Sequence, residues 1–132
     1  MTWFEDLSPY AFGPAPEAGA LNVGWLDRNH SFATGETEPE LAERLVHLAV
    51  ELPVNPTRGW EPCPFCSGEY PIRVPYGAGK RALGDAEIRV RGRDTVVFAA
   101  PNLIAHYVGA HRYLPPQAFV EAVMTDQRIG HT

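Results

Sequence analysis

Two pairs of candidate metal ligands, far apart in the chain, restrict the fold more than any other feature. Two residues separate Cys63 from Cys66, and four separate His106 from His111. Small proteins commonly present four zinc ligands from a Cys-x2-Cys turn and a helix that carries two histidines. Two cysteines and two histidines complete a tetrahedral shell without an open position for water or substrate, which is typical of structural zinc. The sequence therefore predicts a structural zinc site at Cys63, Cys66, His106 and His111.

The spacing of the ligands is less specific than that of a standard zinc finger. Thirty-nine residues lie between Cys66 and His106, and residues five positions apart on an ideal helix point about 140° apart. Gly109 and the helix end before Pro115 would have to let the two rings converge, so His111 is expected to be the most replaceable ligand. Two alternatives stay open: two cysteines with one histidine and another ligand, or no metal.

The segment Cys63-Pro-Phe-Cys66 also matches parts of two catalytic motifs. A glutaredoxin-like dithiol follows a buried strand and opens a helix, whereas residues 58–62 are not an apolar strand and residues 67–71 are a poor helix start. A zinc deaminase needs an upstream H-x-E motif, whose glutamate moves protons. Neither His30 nor His47 has a glutamate at that position. Redox catalysis and deamination are therefore the less favoured interpretations.

Charge is distributed unevenly along the chain. The net charge of -5 divides into -7 for residues 1–62 and +2 for residues 63–132. The acidic net charge argues against non-specific binding to nucleic acid. Basic side chains nevertheless concentrate between residues 73 and 93, which keeps nucleic-acid binding open. Alternation along a strand would place Arg89, Arg91 and Arg93 on one exposed face. These arginines are the candidate contacts for nucleic acid or another partner.

The first half of the chain predicts an arm, a strand and an amphipathic helix. Residues 1–20 are rich in aromatic residues and proline, which indicates an extended arm whose rings pack on the body. Residues 21–26 alternate as a strand. The segment Thr37-Glu-Pro-Glu40 has the form of a capping box, and leucines recur at helical spacing until Pro53. We expect a helix at 38–52 and a loop at 53–62.

The second half predicts strands followed by two helices. In the segment from Glu87 to Arg91, Ile88 and Val90 would face the core while Glu87, Arg89 and Arg91 face solvent. Pro101 would start a helix. The strands are expected at 70–74, 86–90 and 95–99, the turns at 77–84, and the helices at 101–112 and 115–125. The predicted class is α+β, with a small antiparallel sheet, about three helices and a zinc-finger-like knuckle, strands and helix.

Length and composition predict a single domain over residues 1–132. A chain of 132 residues that is 45% hydrophobic can bury one core. Its expected parts are the arm at 1–20, a strand and helix at 21–62, and a zinc-stabilised ββα-like half at 63–125. No secretory signal and no 18-residue apolar run are visible, and two such close cysteines are better suited to metal than to a disulfide. We expect a cytoplasmic protein without membrane contact.

Four segments are similar to a known family: FEDLSPY at 4–10, NVGWLD at 22–27, APNLIAHY at 100–107 and HRYLPP at 111–116. In them the chain resembles a family of short actinobacterial and myxobacterial proteins of unknown function with CxxC and HxxxxH motifs. The resemblance covers nearly the whole chain, and ten arginines against one lysine agree with a GC-rich bacterial source. It implies a bacterial single-domain protein and no particular activity.

The sequence leaves three functions open. A closed metal shell and the lack of a complete catalytic motif favour an accessory, regulatory or toxin-immunity protein that acts by binding another protein. The alternative is nucleic-acid binding through the arginine-rich strands at 73–93. An enzyme is the third interpretation, with Asp27, His30 or His47 in a site that no fixed spacing supports.

Overall fold

The computed structural model describes residues 3–11 and 19–129. Helices and strands both contribute to the core, so the predicted α+β class is confirmed. The strands are β1 (Ala20–Asn22), β2 (Ile72–Tyr76), β3 (Gly79–Leu83), β4 (Glu87–Arg91) and β5 (Val97–Pro101), and the helices are α1 (Pro39–Glu51), α2 (Ile104–His111) and α3 (Gln117–Met124).

The strands form two sheets. A three-stranded sheet has the order β1-β5-β4, and β2 and β3 form a separate antiparallel hairpin. The predicted sheet was antiparallel, but β1 pairs with β5 in parallel while β4 pairs with β5 antiparallel. Parallel neighbours need a long connection, and here it contains α1 and the β2–β3 hairpin.

Two elements differ from the sequence prediction for identifiable reasons. The expected turn region at 77–84 contains β3, whose first three residues are exposed, so it lacks the apolar alternation that marks a strand. Pro101 does not start a helix, because it is the last residue of β5 and pairs with Glu87. Asn102 and Leu103 turn the chain, and α2 begins at Ile104.

Helix α1 is an amphipathic helix, as predicted. Leu41, Leu45 and Leu48 are buried against the core. The predicted capping box does not form: Glu38 is the N-cap, with extended backbone, and no side chain caps the helix. Proline in the first turn starts the helix instead, because its fixed φ suits that position and its missing N–H costs nothing there.

The described part of the arm, residues 3–11, packs on β1. Leu7 and Tyr10 donate backbone hydrogen bonds to Asn22 and Ala20, at 2.6 and 2.8 Å. Phe4 meets the edge of Trp25, with ring centroids 5.5 Å apart. Of the other residues of the predicted arm, Gly19 is a turn residue and Ala20 begins β1, whereas 1–2 and 12–18 lie outside the described residues.

The segment before Cys63 is held against the free edge of β4. Val54 and Glu87 exchange two backbone hydrogen bonds of 2.8 Å. Further along, Thr57 N–H donates to the Asp85 carbonyl at 2.6 Å, and Glu61 N–H donates to the Gly84 carbonyl at 2.8 Å. We call residues 54–61 the edge loop. Its backbone bonds fix where the chain enters the cysteine turn.

Candidate metal centre

The structure brings the four candidate ligands together. One ligand atom from each of Cys63, Cys66, His106 and His111 lies within 4.8 Å of all the others. His111 Nε2 is 3.4 Å from Cys63 Sγ, 3.3 Å from Cys66 Sγ and 3.2 Å from His106 Nε2. His106 Nε2 is 3.3 Å from Cys66 Sγ. His111, which the spacing marked as the most replaceable ligand, is therefore in contact with all three others.

These distances fit the edges of a tetrahedron around one metal ion. Zinc bonds of about 2.3 Å to sulfur and about 2.0 Å to nitrogen give sulfur–nitrogen edges of about 3.5 Å and a nitrogen–nitrogen edge of about 3.3 Å. The observed contacts are 3.3 to 3.4 Å and 3.2 Å, respectively. Two sulfurs and two imidazole nitrogens could thus hold a metal ion with only small movements.

The cysteine turn is shaped to present both sulfurs. Cys66 N–H donates to the Cys63 carbonyl, and Phe65 N–H donates to Cys63 Sγ, each at 3.4 Å. The Arg28 guanidinium donates to the Pro64 carbonyl from outside the turn. A backbone N–H directed at a sulfur favours its thiolate form, which is the form that binds metal.

Helix α2 ends at His111, and this ending explains how two histidines five positions apart can direct their rings to one site. Arg112 caps the helix in the left-handed conformation, with φ 58°. Helical side chains lean toward the N-terminus, so the ring of the last helical residue leans back toward His106. The two rings meet nearly at right angles, with centroids 4.9 Å apart.

Aromatic rings cover the centre. The Phe65 ring lies 5.2 Å from Phe32, 5.9 Å from Tyr107 and 5.4 Å from His111, measured between centroids. Phe65 therefore packs the cysteine turn against α2 on one side and Phe32 on the other. Cys63 is only 4% exposed, so this side of the centre is largely closed to water.

Burial shifts the pKa values of two of the candidate ligands, Cys63 and His106. Burial raises the pKa of the Cys63 thiol to about 11, so this thiol carries its proton at neutral pH until a cation displaces it. Burial, and after it the neighbouring His111, lowers the pKa of His106. A lowered pKa keeps the imidazole neutral, with a lone pair free for a metal.

The other two histidines in the described part of the chain, His30 and His47, form no comparable cluster. His30 Nδ1 lies 2.7 Å from Asp27 Oδ1, and the His30 ring stacks on Trp3 with centroids 3.7 Å apart. His47 lies on α1, and no contact in the described part of the chain joins it to this pair. The hypothetical enzyme site at Asp27, His30 and His47 is therefore reduced to a pair of the half-buried Asp27 and the exposed His30.

The face of β4 that carries Glu87, Arg89 and Arg91 is less exposed than the sequence predicted. Glu87 and Arg89 were expected to face solvent with Arg91, but their side chains are only 9% and 12% exposed. Arg89 pairs with Glu87 Oε1 at 2.9 Å and lies 4.6 Å above the Tyr10 ring. The arm covers this face of the strand. Only Arg91 and Arg93 of the three candidate contacts are exposed.

Sequence analysis did not identify a cavity of about 340 Å³ beside the edge loop. We call it the aromatic cavity, because Trp25, Trp60, Tyr70 and Tyr107 all line it. Trp60 and Tyr70 flank the cysteine turn in sequence. That pairing was the available signal, but it had no periodic pattern to distinguish it from ordinary packing.

Comparison with known proteins places the chain in a family. The family model described as a domain of unknown function (DUF7919) matches residues 2–124. The chain belongs to the DUF7919 family. The expected membership of an uncharacterised family is confirmed, and in this DUF7919 member the CxxC and HxxxxH residues form one cluster. No curated protein and no solved structure matches the chain. Within the described residues, no helix is long and apolar enough to cross a membrane.

Proposed function

We propose that this chain is a zinc-stabilised protein that acts by binding another protein, without catalysis. The closed set of two thiolates and two imidazoles at Cys63, Cys66, His106 and His111 carries the proposal. Soft sulfur and borderline nitrogen donors in a tetrahedron favour zinc over magnesium or calcium. Four protein ligands leave no position for water or substrate on the ion, so its role is to hold the fold.

The proposed ion joins distant parts of the chain. It links the cysteine turn at 63–66 to α2, whose ligands follow some forty residues later. Such a site does not exist in the unfolded chain, so the free energy of metal binding becomes free energy of folding. A small protein with this link can keep a surface rigid for a partner.

A groove next to the proposed zinc site supports the binding part of the proposal. It has a volume of about 660 Å³ and lies between α1, α2 and β2. Val46, Val74 and Ala110 contribute apolar surface, and Glu43 and Arg73 supply charges of both signs. An apolar groove with charged neighbours suits a protein segment with apolar anchors, and the charges can fix its orientation. On this proposal the chain itself is a protein of the accessory, regulatory or toxin-immunity type.

Metal analysis tests the structural role of zinc. We expect one zinc per purified chain, and a strong chelator should lower the melting temperature sharply. His106→Ala should lose the metal and lower the melting temperature, whereas the matched control His47→Ala, outside the cluster, should change neither. Metal-free protein that melts cooperatively, with or without chelator, would refute the zinc assignment.

Affinity purification from the native host tests the binding role. Ala110→Glu places a charge in the groove, and Ala118→Glu makes the same change at an exposed position on α3, outside the groove. We expect a partner that is captured by the wild type and by Ala118→Glu but lost from Ala110→Glu. Equal capture by both variants would reject the groove, and catalytic turnover by a protein that captures no partner would reject the binding function.

A further inference from the structure

The aromatic cavity is lined by rings from its floor to its mouth. Trp25 and Tyr107 are buried, Trp60 is half-buried and Tyr70 is 58% exposed. The Tyr70 hydroxyl donates to the Trp60 carbonyl at 2.7 Å, which ties the two outer residues together. Backbone bonds of the edge loop hold this wall against β4. The cavity is therefore built from fixed elements.

The charges that line this cavity are acidic. Glu61 and Glu87 contribute to it, and no lysine, arginine or histidine is among the described residues that do. Glu87 Oε1 already accepts hydrogen bonds from Tyr10 and Asn55 and pairs with Arg89. Glu61 is exposed and has no ion pair within the described part of the chain. The cavity thus offers one carboxylate that is not neutralised and no group to hold an anion.

The Tyr107 hydroxyl is a polar group in this cavity that lacks a protein partner. The residue is 3% exposed, and its hydroxyl makes no hydrogen bond to any residue that the structure describes. This oxygen is not among the fully buried polar atoms without a partner, so it opens into the cavity that Tyr107 lines, where water or a ligand can be its partner. A phenol oxygen can accept a hydrogen bond as well as donate one.

We propose that the aromatic cavity binds a small organic ammonium ion, a protonated amine carried on a flat apolar body. The aromatic faces attract a cation through their quadrupoles and also pack against the apolar body. The ammonium N–H groups would donate to Glu61 and to the Tyr107 hydroxyl. A volume of about 340 Å³ is in the range of sites for small molecules. This inference is independent of the proposed protein-binding groove.

Isothermal titration calorimetry of the zinc-loaded protein, with benzylamine and with benzyl alcohol in separate titrations, tests the proposal. The two probes have nearly the same shape and differ in charge. We expect benzylamine to bind with a Kd of about 1 mM, in keeping with its few heavy atoms. Benzyl alcohol should bind about tenfold more weakly, because it lacks the cation. Equal affinity for the two probes, or no saturable binding of either, would overturn the proposal.

Variants place the binding in this cavity. Glu61→Gln changes an exposed side chain and should weaken benzylamine several-fold while leaving benzyl alcohol unchanged. Tyr107→Phe keeps the ring and removes only the hydroxyl, and it should weaken benzylamine as well. Tyr76→Phe is the matched control outside the cavity and should have no effect. Zinc content and melting temperature, measured for each variant, show that the fold is intact. Benzylamine affinity unchanged in both Glu61→Gln and Tyr107→Phe would reject this site.

Discussion

Gly84→Ala tests the contact that holds the edge loop in place before the cysteine turn. Gly84 has φ +107°, and a Cβ atom built on it would lie 2.6 Å from the Glu61 carbonyl oxygen and 3.1 Å from the Glu61 nitrogen. Both neighbours are backbone atoms, so no side-chain rotation can relieve the clash. The backbone at Glu61 would have to move.

The expected loss of stability has two sources. A non-glycine residue in this conformation costs about 1–3 kcal/mol. Moving Glu61 also breaks its 2.8 Å hydrogen bond to the Gly84 carbonyl, which contributes about 1 kcal/mol. We expect Gly84→Ala to lower the free energy of unfolding by about 2–4 kcal/mol, a large part of the roughly 5–15 kcal/mol of a typical domain. Because Glu61 is two residues from Cys63, metal affinity should fall as well.

Urea denaturation of the zinc-loaded proteins measures this loss. Gly77→Ala is the control, because Gly77 also has a positive φ, of +60°, but its Cβ would meet nothing within 4 Å. The difference between the two variants reports the close approach of the edge loop together with the greater strain of an alanine at φ +107° than at +60°. If Gly84→Ala were no less stable than Gly77→Ala, residues 54–61 would not pack as described, and the argument for a fixed entry into the cysteine turn would fail.

Three further changes have expected outcomes. In a chelator competition, His111→Ala should lower zinc affinity at least as much as His106→Ala. The reason is that His111 Nε2 contacts both sulfurs, while His106 Nε2 contacts Cys66 Sγ. A smaller loss of zinc affinity in His111→Ala than in His106→Ala would support the expectation from spacing, that His111 is the most replaceable ligand. Tyr10→Phe should lower the free energy of unfolding, measured by urea denaturation, by about 1 kcal/mol, because it removes the 2.9 Å hydrogen bond to Glu87. An unchanged free energy of unfolding would mean that water replaces this bond. Burial opposes the ionised form of Asp126, but hydrogen bonds from Arg128 outweigh burial and lower the pKa of this carboxyl. The carboxylate therefore stabilises the fold fully above its unfolded pKa of about 4. This stabilisation is lost as the pH falls through the lower pKa of the folded state. Asp126→Asn should therefore be less stable than wild type at pH 7, by about 1–2 kcal/mol, and the difference should shrink below about pH 4; a gap independent of pH would contradict the assignment.

The sequence predicted that the four candidate ligands would meet, because ligand chemistry is carried by residue type and spacing. It also predicted α1, since Leu41, Leu45 and Leu48 repeat at helical spacing. It could not predict β3, because the exposed outer residues of that strand resemble a loop. The burial of Glu87 and Arg89 was equally hidden, since alternation identifies two faces of a strand but not what covers them. Here the arm, remote in sequence, supplies Tyr10 as the cover.

The candidate metal centre and the aromatic cavity share the same two segments. The first carries Glu61 into the cavity and, two residues later, Cys63 into the metal cluster. The second is α2, where Tyr107 lines the cavity and adjoins the ligand His106. The Tyr107 ring also packs on Phe65 of the cysteine turn, at 5.9 Å between centroids. An ion that fixes the two segments relative to each other would also fix the Glu61 backbone, and so the reach of its carboxylate, relative to the Tyr107 hydroxyl. A structural metal held by this cluster would therefore control binding in the proposed cavity site without touching the ligand.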